Sequence, residues 1–216
     1  LAVKGLMKPA TYEGGKPIIV GDAAAIQAAI DVVPGAAGLT VNRISQVGEA
    51  KFAYGTIDVL EVPCFDIAKR RYKKDRAMWL EKFTPEEVER QYDESRKMCG
   101  ECAFQYVVKV IDLAMRGQIN ATVTNALNKD YINMAGHHFS GHTEIYAQYT
   151  GTEKYSMMLA HDRLRVVHVS THVSLREACD RVKKDRVFDV IHIADAGCKA
   201  LGIQSPRIAV AGLNPH

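Results

Sequence analysis

Short apolar runs that favour β-strands alternate along this chain with amphipathic stretches that favour helices. Residues 16–22 are apolar up to a closing Gly-Asp, and an alanine-rich helix is predicted from about residue 23 to residue 33. Farther along, an apolar stripe that starts at Phe104 predicts a helix ending at Gly117, and the alternating run 119–124 predicts the next strand. Strands separated by helices in this way build a mostly parallel sheet, so we expect an α/β fold.

The rest of the pattern divides the chain into two predicted domains. Further strands are predicted at residues 39–44, 56–62, 155–159, 164–169 and 207–212. Ser174 begins a capping box, so a helix is expected just after His172. The charged stretch 67–96 favours helices, and we interpret it as a helical insertion on the surface. We predict a partial first α/β domain over residues 1–115 and a second over residues 116–216.

The composition is that of an ordinary soluble globular protein. Of the 216 residues, 47% are apolar, and no run approaches the about 18 consecutive apolar residues that indicate a membrane span. The net charge of +3 is too small to indicate a nucleic-acid partner, and the basic run 69–74 is interpreted as a solvated helix face. Five cysteines, an odd number, argue against a disulfide framework and for a reducing compartment, so we expect a cytoplasmic protein.

Four polar segments are predicted at the carboxyl ends of strands, where open α/β sheets bind ligands. They are residues 124–129, 141–144, 171–172 and 214–216, and they contain the candidate site residues Lys129, His142, Thr143, His172 and His216. Together they would supply neutral imidazoles for a divalent metal, a hydroxyl and an imidazole for an anionic group, and a cation. Taken singly, each histidine is better explained as a hydrogen-bonded structural residue, and the lysine equally well as a solvated one. Two histidines do not complete a metal site, so a third ligand is needed.

The order and spacing of these motifs resemble those of a known enzyme family. The matching motifs lie at residues 124–129, 135–136, 141–144, 157–159, 164–166, 171–176 and 207–216. Gly-His-Thr-Glu followed by Thr-His and then Gly-Leu-Asn-Pro-His is a specific combination, and it is similar to that of the 4-hydroxythreonine-4-phosphate dehydrogenases. The resemblance covers about residues 100–216 and extends more loosely to residues 16–62. The run 171–180 resembles a branch of this family that acts on 4-phospho-D-threonate or 4-phospho-D-erythronate.

The resemblance implies an NAD-dependent dehydrogenase, with NADP as the alternative coenzyme, that needs a divalent metal such as Zn, Mg, Mn or Co. It implies α/β/α layers with an isocitrate/isopropylmalate dehydrogenase-like fold, and a homodimer with active sites in interdomain clefts. The implied reaction is oxidation, with β-decarboxylation, of a 4-phosphorylated hydroxy acid such as 4-phosphohydroxy-L-threonine, of pyridoxine biosynthesis, or 4-phospho-D-threonate. By matching position, His172 and His216 would bind the metal, His142 and Thr143 would bind the substrate, and Lys129 would be catalytic.

The chain departs from the family pattern in three places. Asn125-Ala126 stands where the family usually carries Gly or Ala and then Pro, and the stretch 67–96 is longer than expected. The family's opening Gly-Asp-Pro-Ala-Gly motif is absent, and so is everything after Asn-Pro-His, including a third metal-binding histidine. We therefore expect a chain truncated at both ends. A non-catalytic α/β fragment or binding module that retains a metal or phosphate subsite is the alternative. A metal-dependent phosphohydrolase is a third interpretation, although the Asp-rich ligands usual for that chemistry are missing.

Overall fold

The computed structural model describes residues 1–213 and shows a mixed α/β protein. Its strands are β1 (Ile19–Gly21), β2 (Thr40–Ile44), β3 (Thr56–Glu61), β4 (Met158–His161) and β5 (Leu164–Val167). Its helices are α1 (Ala2–Leu6), α2 (Pro9–Gly14), α3 (Ala23–Val32), α4 (Arg76–Leu80), α5 (Pro85–Met115), α6 (Lys129–Met134), α7 (His142–Thr150), α8 (Leu175–Arg181) and α9 (Lys184–Ala200). Single 3₁₀ turns lie at Val47–Glu49, Ile67–Lys69 and Lys73–Asp75.

The first three strands form a small parallel sheet in the order β1-β3-β2, which confirms the predicted α/β alternation in this part of the chain. β3 lies in the centre and is buried along most of its length, as expected when helices cover both faces of a parallel sheet. Ile57 of β3 packs with Val3 of α1 and Ile30 of α3. Leu60, whose side chain points to the opposite face, packs with Leu113 of α5.

Helix α5 is one continuous helix of 31 residues. Thr84 and Glu87 form a reciprocal capping box at its start, with Pro85 at the first helical position. The structure therefore joins the end of the predicted insertion to the helix predicted around Phe104, where we expected separate helices. The part of the insertion before α5 is held against this helix by polar contacts, including one of 2.9 Å from the backbone N–H of Arg71 to the hydroxyl of Ser95.

Helices α6 and α7 pack on α5, and their contact is made by a buried apolar cluster. The cluster contains Phe104, Val107 and Ile111 of α5, Ile132 of α6 and Ile145 of α7. Because of this packing, the compact unit that begins at Leu1 extends to Thr150, and the chain divides there into Leu1–Thr150 and Gly151–His216. The domain boundary predicted near residue 116 lies inside the first unit.

The second unit contains a β-hairpin and two helices. β4 and β5 pair antiparallel, so these two predicted strands exist but do not extend a parallel sheet. The hydroxyl of Ser174 accepts a hydrogen bond from the N–H of Glu177 at the start of α8, as the sequence predicted. Arg186 of α9 donates to the carbonyl oxygens of Val169 and Tyr155 and so attaches this helix to the hairpin segment.

Two predicted strands, residues 119–124 and 207–212, are not strands in the structure. A strand needs a neighbour to pair its backbone groups, and neither run pairs with another strand among the described residues. Val123 shows the consequence, because its side chain is 96% exposed although the pattern predicted a half-buried position. No helix within residues 1–213 has the length and apolar character needed to cross a bilayer.

Candidate active site

Lys129 is the first residue of α6, and its side chain extends towards Gly141. The side-chain oxygen of Asn128 caps this helix by accepting from the N–H of Tyr131 at 3.1 Å. A Cβ atom built on Gly141 would lie 3.9 Å from Cε of Lys129 and 3.7 Å from Oε2 of Glu144. The structure thus brings Lys129 beside the Gly141-His142 turn, although the two are separated by a helix and a loop. Among the described residues, no ion pair of Lys129 is formed.

His142 is the first residue of α7 and lines a cavity of about 160 Å³ within the first unit. Thr124 and Asn125, from the loop before α6, line the same cavity. The expectation that the segments at 124–129 and 141–144 follow strands is wrong for the described chain, because no strand lies between β3 and α7. The two segments nevertheless lie close together, since α6 and α7 both pack on α5. Thr143 follows His142 in the first turn of α7 and is half-buried.

Burial lowers the pKa of His142 below its ordinary value. The imidazole is therefore neutral near neutral pH, when it can donate a hydrogen bond from one ring nitrogen and accept one at the other. A neutral imidazole in the first helical turn, where backbone N–H groups lack partners within the helix, suits an anionic oxygen.

The lowered pKa of His142 predicts a pH-dependent stability. In the unfolded chain this side chain takes up a proton at about pH 6.5, whereas the folded protein resists protonation there. The free energy of unfolding is therefore undiminished above that pH. It decreases as the pH falls towards the pKa of His142 in the folded protein, because the unfolded chain takes up the proton more readily. We expect urea unfolding midpoints measured from about pH 7.5 to about pH 5.5 to fall less steeply for His142→Asn than for the wild type. Equal slopes would contradict this burial effect.

Two tyrosines that the sequence did not single out also line the cavity. Tyr106 of α5 has a pKa raised by burial and by its contact with Cys64, so its phenol stays neutral. Tyr146 of α7 follows His142 by one helical turn, so both side chains lie on the same face of the helix. The spacing from His142 is the signal in the sequence that could have identified Tyr146. That spacing is informative only once it is known that His142 begins a helix.

His172 lies in the second unit, before α8, and has an exposed side chain. Its φ angle of 57° places it in the left-handed region, which is unusual for a residue with a Cβ atom. This conformation costs about 1–3 kcal/mol and, in folded proteins, is concentrated at functional sites. Phe52 and Asp162 also have positive φ angles, so the conformation is consistent with a functional role for His172 but does not by itself indicate one.

The described residues alone do not form a metal centre. Within residues 1–213, no group of three or more His, Cys, Asp or Glu side chains is arranged to hold an ion. His216, the second predicted metal ligand, lies outside the described residues, as do Asn214 and Pro215. Of the predicted ligands, the structure therefore shows His172 only, and the donors present do not complete a coordination set.

His137 illustrates a histidine with a structural explanation. Its Nε2 lies 2.7 Å from a carboxylate oxygen of Glu101, and its ring stacks on Phe104 with a centroid distance of 3.7 Å. These contacts hold the segment between α6 and α7 against α5.

Comparison with known proteins identifies the family. Residues 13–216 match the protein family described as "Pyridoxal phosphate biosynthetic protein PdxA". The chain belongs to the PdxA family. The family therefore agrees with the resemblance drawn from the Gly-His-Thr-Glu, Thr-His and Asn-Pro-His motifs.

Several curated relatives and solved structures match over most or all of the chain. A Clostridium botulinum protein named "Putative D-threonate 4-phosphate dehydrogenase" is 33% identical over 216 residues, which are all of this chain and 58% of the relative. A Salmonella typhi protein of the same name is 38% identical over 185 residues, 84% of this chain and 50% of the relative. A crystal structure of a Klebsiella pneumoniae 4-hydroxythreonine-4-phosphate dehydrogenase superposes with a TM-score of 0.78 at 32% identity, covering all of this chain and 59% of that one. The chain thus spans little more than half the length of the PdxA relatives it matches.

Proposed function

We propose that this chain forms part of a dehydrogenase that oxidises a 4-phosphorylated hydroxy acid with NAD as hydride acceptor. D-threonate 4-phosphate is the first candidate substrate, because it appears in the names of the curated relatives. 4-Phosphohydroxy-L-threonine is the second. The observation that carries the proposal is the approach of Lys129 to Gly141. The next residue, His142, lines a cavity whose mostly apolar wall includes a few polar groups, among them Thr124 and Asn125. A cation and a neutral imidazole near the same turn suit a small anionic substrate.

In this proposal the three residues of the first unit bind and orient the substrate. His142 and Thr143 would hydrogen-bond to substrate oxygens, and the free N–H groups in the first turn of α7 favour negative charge there. Lys129 would pair with an anionic group of the substrate or, when deprotonated, accept the proton of the hydroxyl that is oxidised. Fixing the substrate in this way aligns the carbon that loses hydride. No residue of this chain is assigned to the coenzyme.

The proposal extends to a divalent metal and to the assembly. A bound Zn, Mg, Mn or Co ion would supply Lewis-acid polarisation of the substrate hydroxyl. His172 and His216 are the proposed ligands, and the coordination set would be completed from outside the described residues. We also propose a homodimer with an isocitrate/isopropylmalate dehydrogenase-like fold, and β-decarboxylation after oxidation. These extensions rest on the resemblance of the chain's motifs to those of the 4-hydroxythreonine-4-phosphate dehydrogenases.

The proposed activity predicts formation of NADH by the full-length protein. With NAD and a divalent cation present, D-threonate 4-phosphate should increase the absorbance of NADH. Unphosphorylated D-threonate should give a kcat/KM lower by about a hundredfold, because charge-assisted contacts to phosphate are lost. His142→Ala should raise KM for the phosphorylated substrate, whereas His138→Ala, at an exposed histidine nearby, should not.

Two outcomes would contradict this proposal, the first its phosphate specificity and the second the dehydrogenase activity itself. Equal rates with phosphorylated and unphosphorylated substrates would remove the role of phosphate. Absence of NADH with either phosphorylated candidate would instead favour a non-catalytic module that keeps an anion subsite. That alternative is also consistent with the incomplete set of metal ligands among residues 1–213.

A further inference from the structure

The hydroxyl of Tyr146 is buried and has no hydrogen-bond partner within the described part of the chain. Other tyrosines of the first unit differ in this respect. The hydroxyl of Tyr12 donates to the carbonyl oxygen of Thr56 at 3.1 Å, and that of Tyr92 to the carbonyl oxygen of Tyr72 at 2.8 Å. Buried polar groups are nearly always hydrogen-bonded, because leaving one unpaired costs the energy of its removal from water. The Tyr146 hydroxyl therefore needs a partner that residues 1–213 do not supply.

The surroundings of Tyr146 indicate what kind of partner this is. The ring packs against the apolar cluster between α5, α6 and α7, which holds the side chain in place. Tyr146 also lines the cavity beside His142, with Thr124 and Asn125 from the loop before α6. The cavity of about 160 Å³ is smaller than the roughly 300–1,000 Å³ of a site that encloses a whole drug-sized ligand. It therefore suits one end of a small molecule.

We propose that Tyr146 is a further substrate-binding residue, whose hydroxyl donates a hydrogen bond to an anionic oxygen of the ligand held next to His142. The inference rests on the proposed function, which places a phosphorylated hydroxy acid at this cavity. Phosphate and carboxylate oxygens are equivalent acceptors for a phenol, so the shared chemistry is an oxyanion at one end of the ligand. Tyr146 thereby adds a rigid, uncharged donor to the contacts proposed for His142, Thr143 and Lys129.

Replacement of Tyr146 by Phe tests this role, because it removes the hydroxyl and keeps the ring. We expect Tyr146→Phe to weaken the binding of D-threonate 4-phosphate about tenfold, the loss of one hydrogen bond to a charged acceptor. The melting temperature without ligand should be unchanged or higher, because an unpaired buried hydroxyl is removed. Tyr149→Phe is the matched control, since Tyr149 lies on the same helix and is 43% exposed. The control should leave both quantities unchanged.

Calorimetric titration of the full-length protein without NAD separates this inference from the proposed function. Inorganic phosphate and D-threonate serve as further probes, and the one whose affinity falls in Tyr146→Phe carries the oxyanion that the hydroxyl binds. Equal affinity of wild type and Tyr146→Phe for all three ligands would overturn the inference. So would a lower melting temperature of the ligand-free variant, which would show a structural partner. Absence of NADH together with Tyr146-dependent binding would reject the dehydrogenase and keep the binding role.

Discussion

Gly100→Ala is expected to destabilise the protein by about 3 kcal/mol, at the upper end of the usual cost of overpacking. A Cβ atom at this position would lie 2.8 Å from the backbone nitrogen of Ile132 and closer still to the carbonyl group of Tyr131. These are backbone atoms of α6, so no side-chain rotation can relieve the clash. The helix would have to move away from α5, and Lys129 at its start would move with it.

The sign of this effect makes the measurement decisive. In an unobstructed helix, replacing Gly by Ala stabilises by about 1 kcal/mol. Gly5 of α1 provides that control, because nothing lies within 4 Å of the position of its Cβ. Urea unfolding followed by circular dichroism should therefore show Gly5→Ala equal to or more stable than the wild type and Gly100→Ala much less stable. A Gly100→Ala variant of wild-type stability would mean that α6 does not rest on this glycine.

His172→Gly is expected to abolish NADH formation by the full-length protein while changing the free energy of unfolding by no more than about 1 kcal/mol. Glycine adopts the left-handed conformation of His172 without strain, but it makes the unfolded chain more flexible, so the two effects on stability oppose one another. The activity, in contrast, depends on the imidazole if His172 is a metal ligand. Steady-state assays at several concentrations of the divalent cation measure this loss.

Asp162→Gly is the matched control for His172→Gly. Asp162 also has a positive φ, of 45°, and lies in the turn of the β4–β5 hairpin, where no functional role is proposed. Its replacement should have a similarly small effect on stability and should leave the activity intact. Full activity of His172→Gly would show that this imidazole is dispensable and would remove the metal role proposed for it.

The local sequence pattern predicted correctly those strands and helices whose packing or pairing partners lie within the described chain. The run 16–22 illustrates this, because it contains β1 and is followed directly by the predicted alanine-rich helix, α3. The carboxylate of Asp22, at the end of the run, caps that helix by accepting from the N–H of Ala25. A strand-like local sequence was not sufficient to form a strand at residues 119–124 and 207–212. Among the described residues, these two runs pair with no strand. Strand formation depends on a neighbour, and no local signal reports whether one is present.

The sequence by itself determined the α/β class, the helix cap at Ser174, and the motifs that identify the PdxA family. These features depend on the chemistry of a few adjacent residues. Only the tertiary structure decided that Lys129 lies beside Gly141, that Gly100 receives the backbone of α6, and that the Tyr146 hydroxyl is buried without a partner. Such relations depend on how helices distant in sequence pack together, and packing is a property of the folded chain as a whole.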